Sequence, residues 1–364
     1  MKSCTRRFFA GSRSFFPFLL LVALVMSASM SSAAVTKETL TVMTRNLYLG
    51  SAFDPLLNAA TPDDIPGAVA AVYAAILSSQ YPCRAEAIAD EILETQPDLV
   101  GLQEAVLLRV YSPCGASLPN PPQPIAFAVD YAQILLDALE RRGAHYALAA
   151  EIANTDVTTS SLSGDTIRMT DRDVILVRTD LSTREFRISN PRAENFNARF
   201  SVQVGGTGGP TVTILRGWCS VDVRVAGRSI RVISTHLEEE VPLIRVLQAN
   251  ELLAGPLHTS RPVIALGDFN ASVGSTPYGS LIDARFVDAW VLAHPGDPGF
   301  SCCQAADLLN PASQLSTRID LIFIRGKRLG VNDIQLVGAD PAERLPSGLW
   351  PSDHAGVVGI LSLK

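Results

Sequence analysis

The sequence predicts a single α/β domain, and three observations carry that prediction. Strand-like and helix-like segments intermix from residue 40 to residue 363, rather than separating into blocks. Of the 364 residues, 47% are hydrophobic and 18% charged, which supplies a sizeable core and excludes a disordered tail, a collagen-like repeat and a coiled coil. No internal repeat or linker-like stretch divides the chain, although length alone, at about 150 residues per domain, allows two domains.

The first 34 residues stand apart from this pattern. A basic start (Lys2, Arg6, Arg7, Arg13) precedes an apolar run from Phe15 to Met26 and then a small-residue stretch, the layout of a secretory signal cleaved after Ala33 or Ala34. The apolar run is short for a bilayer-spanning helix, which needs about 20 residues. Thr5 to Phe9 also resembles a twin-arginine export signal, although two ordinary basic residues of a signal account for it equally. The expected mature protein, residues 35–364, is therefore periplasmic or extracellular. Removing the signal takes away four positive charges and no negative one, so the net charge goes from -6 to -10.

In chain order, the alternation in Leu40–Leu49 predicts an opening strand, followed by a Pro-punctuated segment with a short helix around 68–77. Arg84–Glu94 has helical spacing and stops at Gln96-Pro97, and the apolar run Asp98–Gln103 reads as a buried strand. Residues 111–124 are Pro-rich and predict a loop, and Phe127–Arg142 a helix stopped by Gly143. Strands follow at 145–158, 166–178, 211–225 and 229–237, separated by Gly-rich turns. Val241–Ala254 is an amphipathic helix ended by Gly-Pro, and 262–266, 319–325 and 354–363 complete the strands.

Five cysteines remain after the signal is removed, an odd number for an oxidising compartment. Cys83 and Cys114, each following a proline, make the preferred bridge; one of the adjacent Cys302 and Cys303 is left to pair with Cys219, with connectivity open. No cysteine or histidine spacing matches a zinc site.

Polar residues with chemical capacity cluster at the ends of the most apolar strands: Arg45-Asn46-Leu47, Gln103-Glu104, Ser234-Thr235-His236-Leu237, Gly267-Asp268-Phe269-Asn270, Arg318-Ile319-Asp320 and Ser352-Asp353-His354. Strands fix positions there while loops leave them reachable. Carboxylate and amide oxygens suit a hard ion such as Mg²⁺, and a His beside an Asp suits proton transfer or charge stabilisation near neutral pH. Together they are the parts for metal-assisted attack of water on a phosphoester. Singly, each has an ordinary reading as a cap, a turn or a packed side chain.

In order and wording, these segments resemble the endonuclease/exonuclease/phosphatase superfamily, which includes deoxyribonuclease I, abasic-site endonucleases, inositol polyphosphate 5-phosphatases and bacterial sphingomyelinases. The matching motifs are RNL at 45–47, PDLVGLQE at 97–104, STHL at 234–237, GDFN at 267–270, RIDLIF at 318–323 and SDH at 352–354. The resemblance implies a four-layer α/β/β/α sandwich of two mixed sheets flanked by helices. It implies that Glu104 holds a divalent metal, Mg²⁺ with Mn²⁺ or Ca²⁺ as alternatives, with Asn46 beside it and Asp353 as a second metal contact. Asp268 would orient or deprotonate the attacking water, and Asn270 would hydrogen-bond the phosphate. His354, oriented by Asp320, would stabilise the pentacovalent phosphorus. His236 would act on the phosphate side as an acid or as a donor to the leaving group.

The motifs imply the reaction and not the substrate, which within this superfamily is a nucleic acid, a phospholipid headgroup or a small organic phosphate. The acidic mature chain argues against a broad basic surface for duplex nucleic acid, so attraction must come from a local patch. Arg45 and Arg318, beside motif residues, and Arg172 and Arg216, at strand starts, are the candidate phosphate contacts. Phe286, Trp290 and Phe300 are the candidates for membrane contact that a sphingomyelinase-like enzyme would need, with FVDAW equally readable as a core strand or helix start. The expectation is thus an exported nuclease or phosphodiesterase, with a sphingomyelinase-like enzyme as the alternative and a catalytically inactive binding protein on the same fold as the reading from another class.

Overall fold

A computed structural model describes residues 37–111 and 127–363. The expected signal at 1–34, Cys114 and most of the Pro-rich loop lie outside the described residues. In chain order, β1 (Thr39–Asn46) leads through α1 (Asp54–Leu57), α2 (Ile65–Ser78) and α3 (Tyr81–Thr95) to β2 (Leu99–Gln103), β3 (Leu107–Tyr111) and β4 (Phe127–Asp130). Next come α4 (Tyr131–Arg141), β5 (Tyr146–Ser160), β6 (Thr166–Arg178), β7 (Phe186–Asn195), the ribbon β8 (Phe200–Gln203) and β9 (Thr211–Ile214), and the hairpin β10 (Gly217–Val225) and β11 (Arg228–His236). The chain continues through α5 (Pro242–Ala254), β12 (Val263–Asp268), α6 (Thr276–Asp283), β13 (Val287–Asp288), α7 (Ala289–Ala293), β14 (Asp320–Arg325), β15 (Leu329–Val337) and β16 (Gly356–Leu363).

One sheet runs β15-β16-β1-β2-β6-β3-β4, with β5 along the other edge of β6; the second runs β13-β14-β12-β11-β10-β7. Each is mixed, because β1 pairs β2 and β11 pairs β12 in parallel while their other neighbours are antiparallel. The period of two sorts side chains between layers. In β12, Ile264 and Leu266 face the other sheet while Val263 and Ala265 face helices; in β1, Val42 faces the other sheet and Met43 the helices. Helices α2, α3 and α4 cover the first sheet with Val72, Ile88, Ile92 and Leu135, and α5 and α6 cover the second with Ala249, Leu252 and Leu281. The result is the expected α/β/β/α sandwich.

Two motif glycines set the approach of chain to chain near the site. A Cβ on Gly101 would lie 2.1 Å from Leu266 Cδ1 of the facing sheet, and one on Gly267, whose φ is +147°, 2.0 Å from Thr235 O of the adjacent strand.

Several elements depart from the sequence reading, each for a visible reason. Phe127–Asp130 pairs with β3 instead of opening the helix, and the Asp130 carboxylate accepts from Gln133 N as the cap that starts α4 at Tyr131. The segment 211–225 breaks at Leu215-Arg216 into two strands in different sheets. FVDAW supplies both readings: Phe286 is core, Val287–Asp288 is a short strand, and Asp288 caps α7. Phe286 and Trp290 are buried, which removes them as membrane contacts, whereas Phe300 is exposed.

The cysteines also depart from expectation. Cys83 sits in the first turn of α3 rather than in a loop. Cys219 is not the partner of Cys302 or Cys303: it faces the core between the sheets, its sulfur 3.8 Å from Asp173 O, and the sulfurs of Cys302 and Cys303 lie against each other.

Candidate active site

The site forms where the C-terminal ends of the two parallel pairs meet. Register alone lines up its second-sheet half: His236 on β11 is opposite Asp268 on β12, which is opposite Asp320 at the start of β14. The first sheet contributes Asn46, opposite Gln103 at the ends of β1 and β2, and Glu104 in the next position. Glu104 and Asn270 both have positive φ, +54° and +47°, a conformation non-glycine residues keep only where surrounding contacts hold it.

The two halves are joined by side-chain hydrogen bonds. Asn46 Nδ2 donates to Glu104 Oε1 at 3.0 Å and to Asp268 Oδ2 at 3.2 Å, bridging the sheets, and Leu49 N donates to Glu104 Oε2 at 2.6 Å. Asn270 N donates to Asp268 Oδ1 at 2.9 Å, while the Asn270 side-chain amide donates to Leu237 O at 3.0 Å. His236 Nε2 lies 3.4 Å and His354 Nε2 3.9 Å from Asp268 Oδ2. His354 Nδ1 meets Asp320 Oδ2 at 2.8 Å, and Nε2 is 4.0 Å from Asp353 Oδ1.

Charge and burial set the protonation states. Burial opposes the charged form of His354, but Asp320, Asp353 and Asp268 outweigh it and push its pKa well up, so the ring is an imidazolium. His236 goes the other way: burial, then the Arg216 charge, then His354 hold it well below the ordinary histidine value. Arg216 Nη1 is 3.0 Å from His236 Nδ1, and since arginine only donates, Nδ1 is the acceptor and the ring hydrogen sits on Nε2, 3.4 Å from Asp268 Oδ2. His236 is therefore a neutral donor rather than an acid. Burial and the neighbouring Asp320 raise Asp268 to about 7; burial raises Asp353 to about 7, with Glu104 adding to the shift.

Carboxylates thus converge at the strand ends with less positive charge than they need, and Asp320 Oδ1 is buried without a hydrogen-bond partner. Oxygen donors from Glu104, Asp268 and Asp353, short of countercharge, fit a hard divalent cation such as Mg²⁺, while Asn46 turns its amide nitrogen to Glu104 and Asp268 and its oxygen accepts from Tyr48 N. Asp268, Asp320 and His354 bring a ligand atom each within 4.8 Å of one another.

The structure brings together Asn46, Glu104, His236, Asp268, Asn270, Asp320, Asp353 and His354. It does not bring Arg45 or Arg318 to the phosphate side. Arg45 is fully buried, paired with Glu91 at 2.8 Å and donating to His354 O; Arg318 is buried against Asp288 at 2.6 Å and donates to Pro298 O. Arg172 is likewise taken up by Asp130, Glu151 and Ala105 O. Of the four arginines only Arg216 reaches the site, and it faces His236 and Asp171.

Two supporting residues carried no sequence signal. Ser301, fully buried, donates to Asp320 Oδ2 at 2.7 Å and accepts from Ile319 N and Asp320 N, fixing the carboxylate that holds His354. Arg84, also fully buried, donates to Leu47 O, Tyr48 O, Ser79 O and Pro351 O, tying the loop after Asn46 to the loop before Ser352. A lone Ser in a loop and an Arg on an amphipathic helix look ordinary in one dimension.

A family model described as the endonuclease/exonuclease/phosphatase family matches residues 76–354. Solved structures similar to this fold include an endonuclease/exonuclease/phosphatase family protein from Leptotrichia buccalis, at 16% identity and a TM-score of 0.52, covering 89% of this chain and 100% of that one. Another is D. rerio TDP2 complexed with a single-strand DNA product, at 15% identity and a TM-score of 0.52, covering 90% and 100%. The human Nocturnin catalytic domain with bound sulfate follows, at 17% identity and a TM-score of 0.51, covering 90% and 96%. A search of curated protein sequences gave no match. The family model spans most of the chain, from α2 to His354 at the site, and the chain belongs to the endonuclease/exonuclease/phosphatase family.

Proposed function

We propose that the chain is a divalent-metal-dependent phosphoester hydrolase of the nuclease or phosphodiesterase type. The observation that carries this reading is the convergence of Asp268 with two histidines in opposite states, the His354 imidazolium and the neutral His236. Asp268 holds the attacking water and accepts its proton. His354, kept charged and oriented by Asp320, donates to the phosphoryl oxygens as negative charge develops. His236 donates from Nε2, and the second amide hydrogen of Asn270 is free to follow the phosphate. Glu104 with Asn46, and Asp353 as a further ligand, would hold Mg²⁺, with Mn²⁺ or Ca²⁺ as alternatives; when bound, it supplies Lewis-acid neutralisation of the phosphate charge.

The sphingomyelinase-like alternative loses two of its three aromatic contacts to the core, which favours a soluble diester. The layout of residues 1–34 supports an exported enzyme acting in the periplasm or outside the cell. A panel of plasmid DNA, RNA, sphingomyelin vesicles and inositol phosphates at fixed Mg²⁺ tests the ranking: cleavage of a nucleic acid is expected, and cleavage of sphingomyelin alone reverses the order.

The inactive-binder reading is tested by melting. A working site raises the melting temperature by stabilising the folded state by about 2.7 kcal/mol at a Mg²⁺ concentration 100 times the dissociation constant. The shift should be lost in Glu104→Gln; a flat Mg²⁺ titration without hydrolysis favours the binder.

Arg216 is a positioning residue acting through His236. Arg216→Met is expected to lower kcat by about 100-fold, as misplaced catalytic groups do, and to raise the His236 pKa followed by imidazole NMR. A loss of rate with an unmoved histidine titration contradicts this role.

A further inference from the structure

His354 Nε2, the nitrogen nearest Asp268 and Asp353, also lies beside a second set of ligands, chemically unlike the first. Cys302 Sγ lies 3.6 Å from His354 Nε2, and Cys302, Cys303 and His354 each place a ligand atom within 4.8 Å of the others. Cys302 and His354 are buried while Cys303 is exposed, so the cluster has two ligands in the protein and one in solvent.

Its backbone is clamped on both sides. Cys302 N donates to Thr317 O at 2.9 Å and Cys302 O accepts from Ser316 N and Thr317 N, while Ala355 N donates to Ser301 O and Gln304 N to Asp353 O, both at 2.8 Å. The cysteine pair is thus held against the SDH motif by the segments that lead into β14 and β16.

We propose that the reduced Cys302–Cys303 pair, with His354 Nε2, is an inhibitory site for a thiophilic cation such as Zn²⁺, and that joining the two sulfurs as a disulfide closes it. Two thiolates and an imidazole are soft-to-borderline ligands that select Zn²⁺ over Mg²⁺, the converse of the oxygen ligands supplied by the neighbouring carboxylates. For Cys302 and His354 the spacing fits: bonds of about 2.3 Å to sulfur and about 2.05 Å to nitrogen at a tetrahedral angle put the two ligand atoms about 3.6 Å apart, and Cys303 joins them once reduction frees its sulfur. A cation there takes the Nε2 electron pair, so His354 loses the hydrogen it would donate to phosphate.

The chemistry balances. A dithiol reductant breaks the sulfur–sulfur bond by exchange, giving two electrons and two protons to the cysteines and becoming a disulfide itself; the reverse exchange restores the bond. Cation binding then releases the two thiol protons and the Nε2 proton to water. Only the inhibition rests on the hydrolase reading; binding rests on the proximity of the three ligand atoms.

The test uses the whole protein in excess Mg²⁺, which occupies the carboxylate site, with and without prior reduction by a water-soluble phosphine. Co²⁺ serves as the spectroscopic probe and Zn²⁺ as the inhibitor of bis-p-nitrophenyl phosphate hydrolysis. Reduced protein should show one equivalent of a thiolate-to-cobalt charge-transfer band, absent from unreduced protein and from Cys303→Ser. Losing even an outer-shell partner costs 10- to 100-fold in metal affinity, so Zn²⁺ should inhibit reduced wild type at a concentration at least about tenfold lower than either of these. Cys303→Ser should keep its Mg²⁺-supported rate. Absence of the band in reduced protein overturns the site, whether or not the protein hydrolyses anything. Equal Zn²⁺ sensitivity of reduced wild type and Cys303→Ser overturns the inhibition. An equal count of alkylatable thiols before and after reduction overturns the disulfide.

Discussion

Asp268→Asn is expected to lower phosphoester hydrolysis by about 100- to 10,000-fold, the range for loss of a positioned general base. The same substitution should not destabilise the fold. Asn keeps the shape and can still accept from Asn270 N, whereas the native carboxylate is ionised against burial and against Asp320.

The sign of the pH effect follows. Asp268 has an ordinary carboxyl pKa of 3.8 when unfolded and about 7 when folded. Between those values the folded state binds more protons, so this group's contribution to stability falls as pH rises, and at pH above about 7 its full cost is present. Without metal, the melting temperature of Asp268→Asn relative to wild type should therefore rise from pH 4 to pH 7 and then level off. A difference that shrinks over that range would contradict the burial argument. Added metal, by supplying the missing countercharge, should narrow the gap at high pH.

Arg84→Met is expected to cost about 3 kcal/mol or more of stability, because each buried acceptor left unsatisfied costs about 1–3 kcal/mol. Arg84 serves four carbonyls from three segments, and methionine fills part of its volume but donates to none of them. Its loss should also loosen Leu47–Tyr48 against Pro351, so the distance between Asn46 and His354 is less well fixed. Denaturant unfolding of the variant measures the first effect and Mg²⁺-supported rate the second. A cost below about 1 kcal/mol, the net value of one ordinary hydrogen bond, would mean that water replaces the guanidinium.

The legible part of this molecule was its strand ends. Asn46, Glu104, His236, Asp268, Asp320 and His354 were readable because each follows or opens an apolar strand, and strand register then fixes their meeting. Arg45 was misread because a strand residue next to Asn46 points to the opposite face, and Arg318 because it lies in the loop before β14 and turns to Asp288; both are spent on buried carboxylates. Arg216 was singled out as a phosphate contact, but its closeness to His236, which depends on β10 pairing with β11, was not legible. Strand β7 escaped the sequence reading because FRISNPRAEN is an edge strand with little apolar alternation and a mostly exposed surface. Ser301 and Arg84 act through long-range contacts that no local pattern records. The acidity of the expected mature chain takes on a local meaning: the site itself is short of positive charge, and a bound cation is the simplest remedy.

The most direct test of the central claim is release of p-nitrophenol from bis-p-nitrophenyl phosphate by the purified protein, measured with Mg²⁺, after EDTA, and after Mg²⁺ is restored. Hydrolysis that requires Mg²⁺, stops with EDTA, returns with the metal and is lost in Asp268→Asn is the predicted result. Hydrolysis that continues unchanged in EDTA, or that survives Asp268→Asn, would contradict the account.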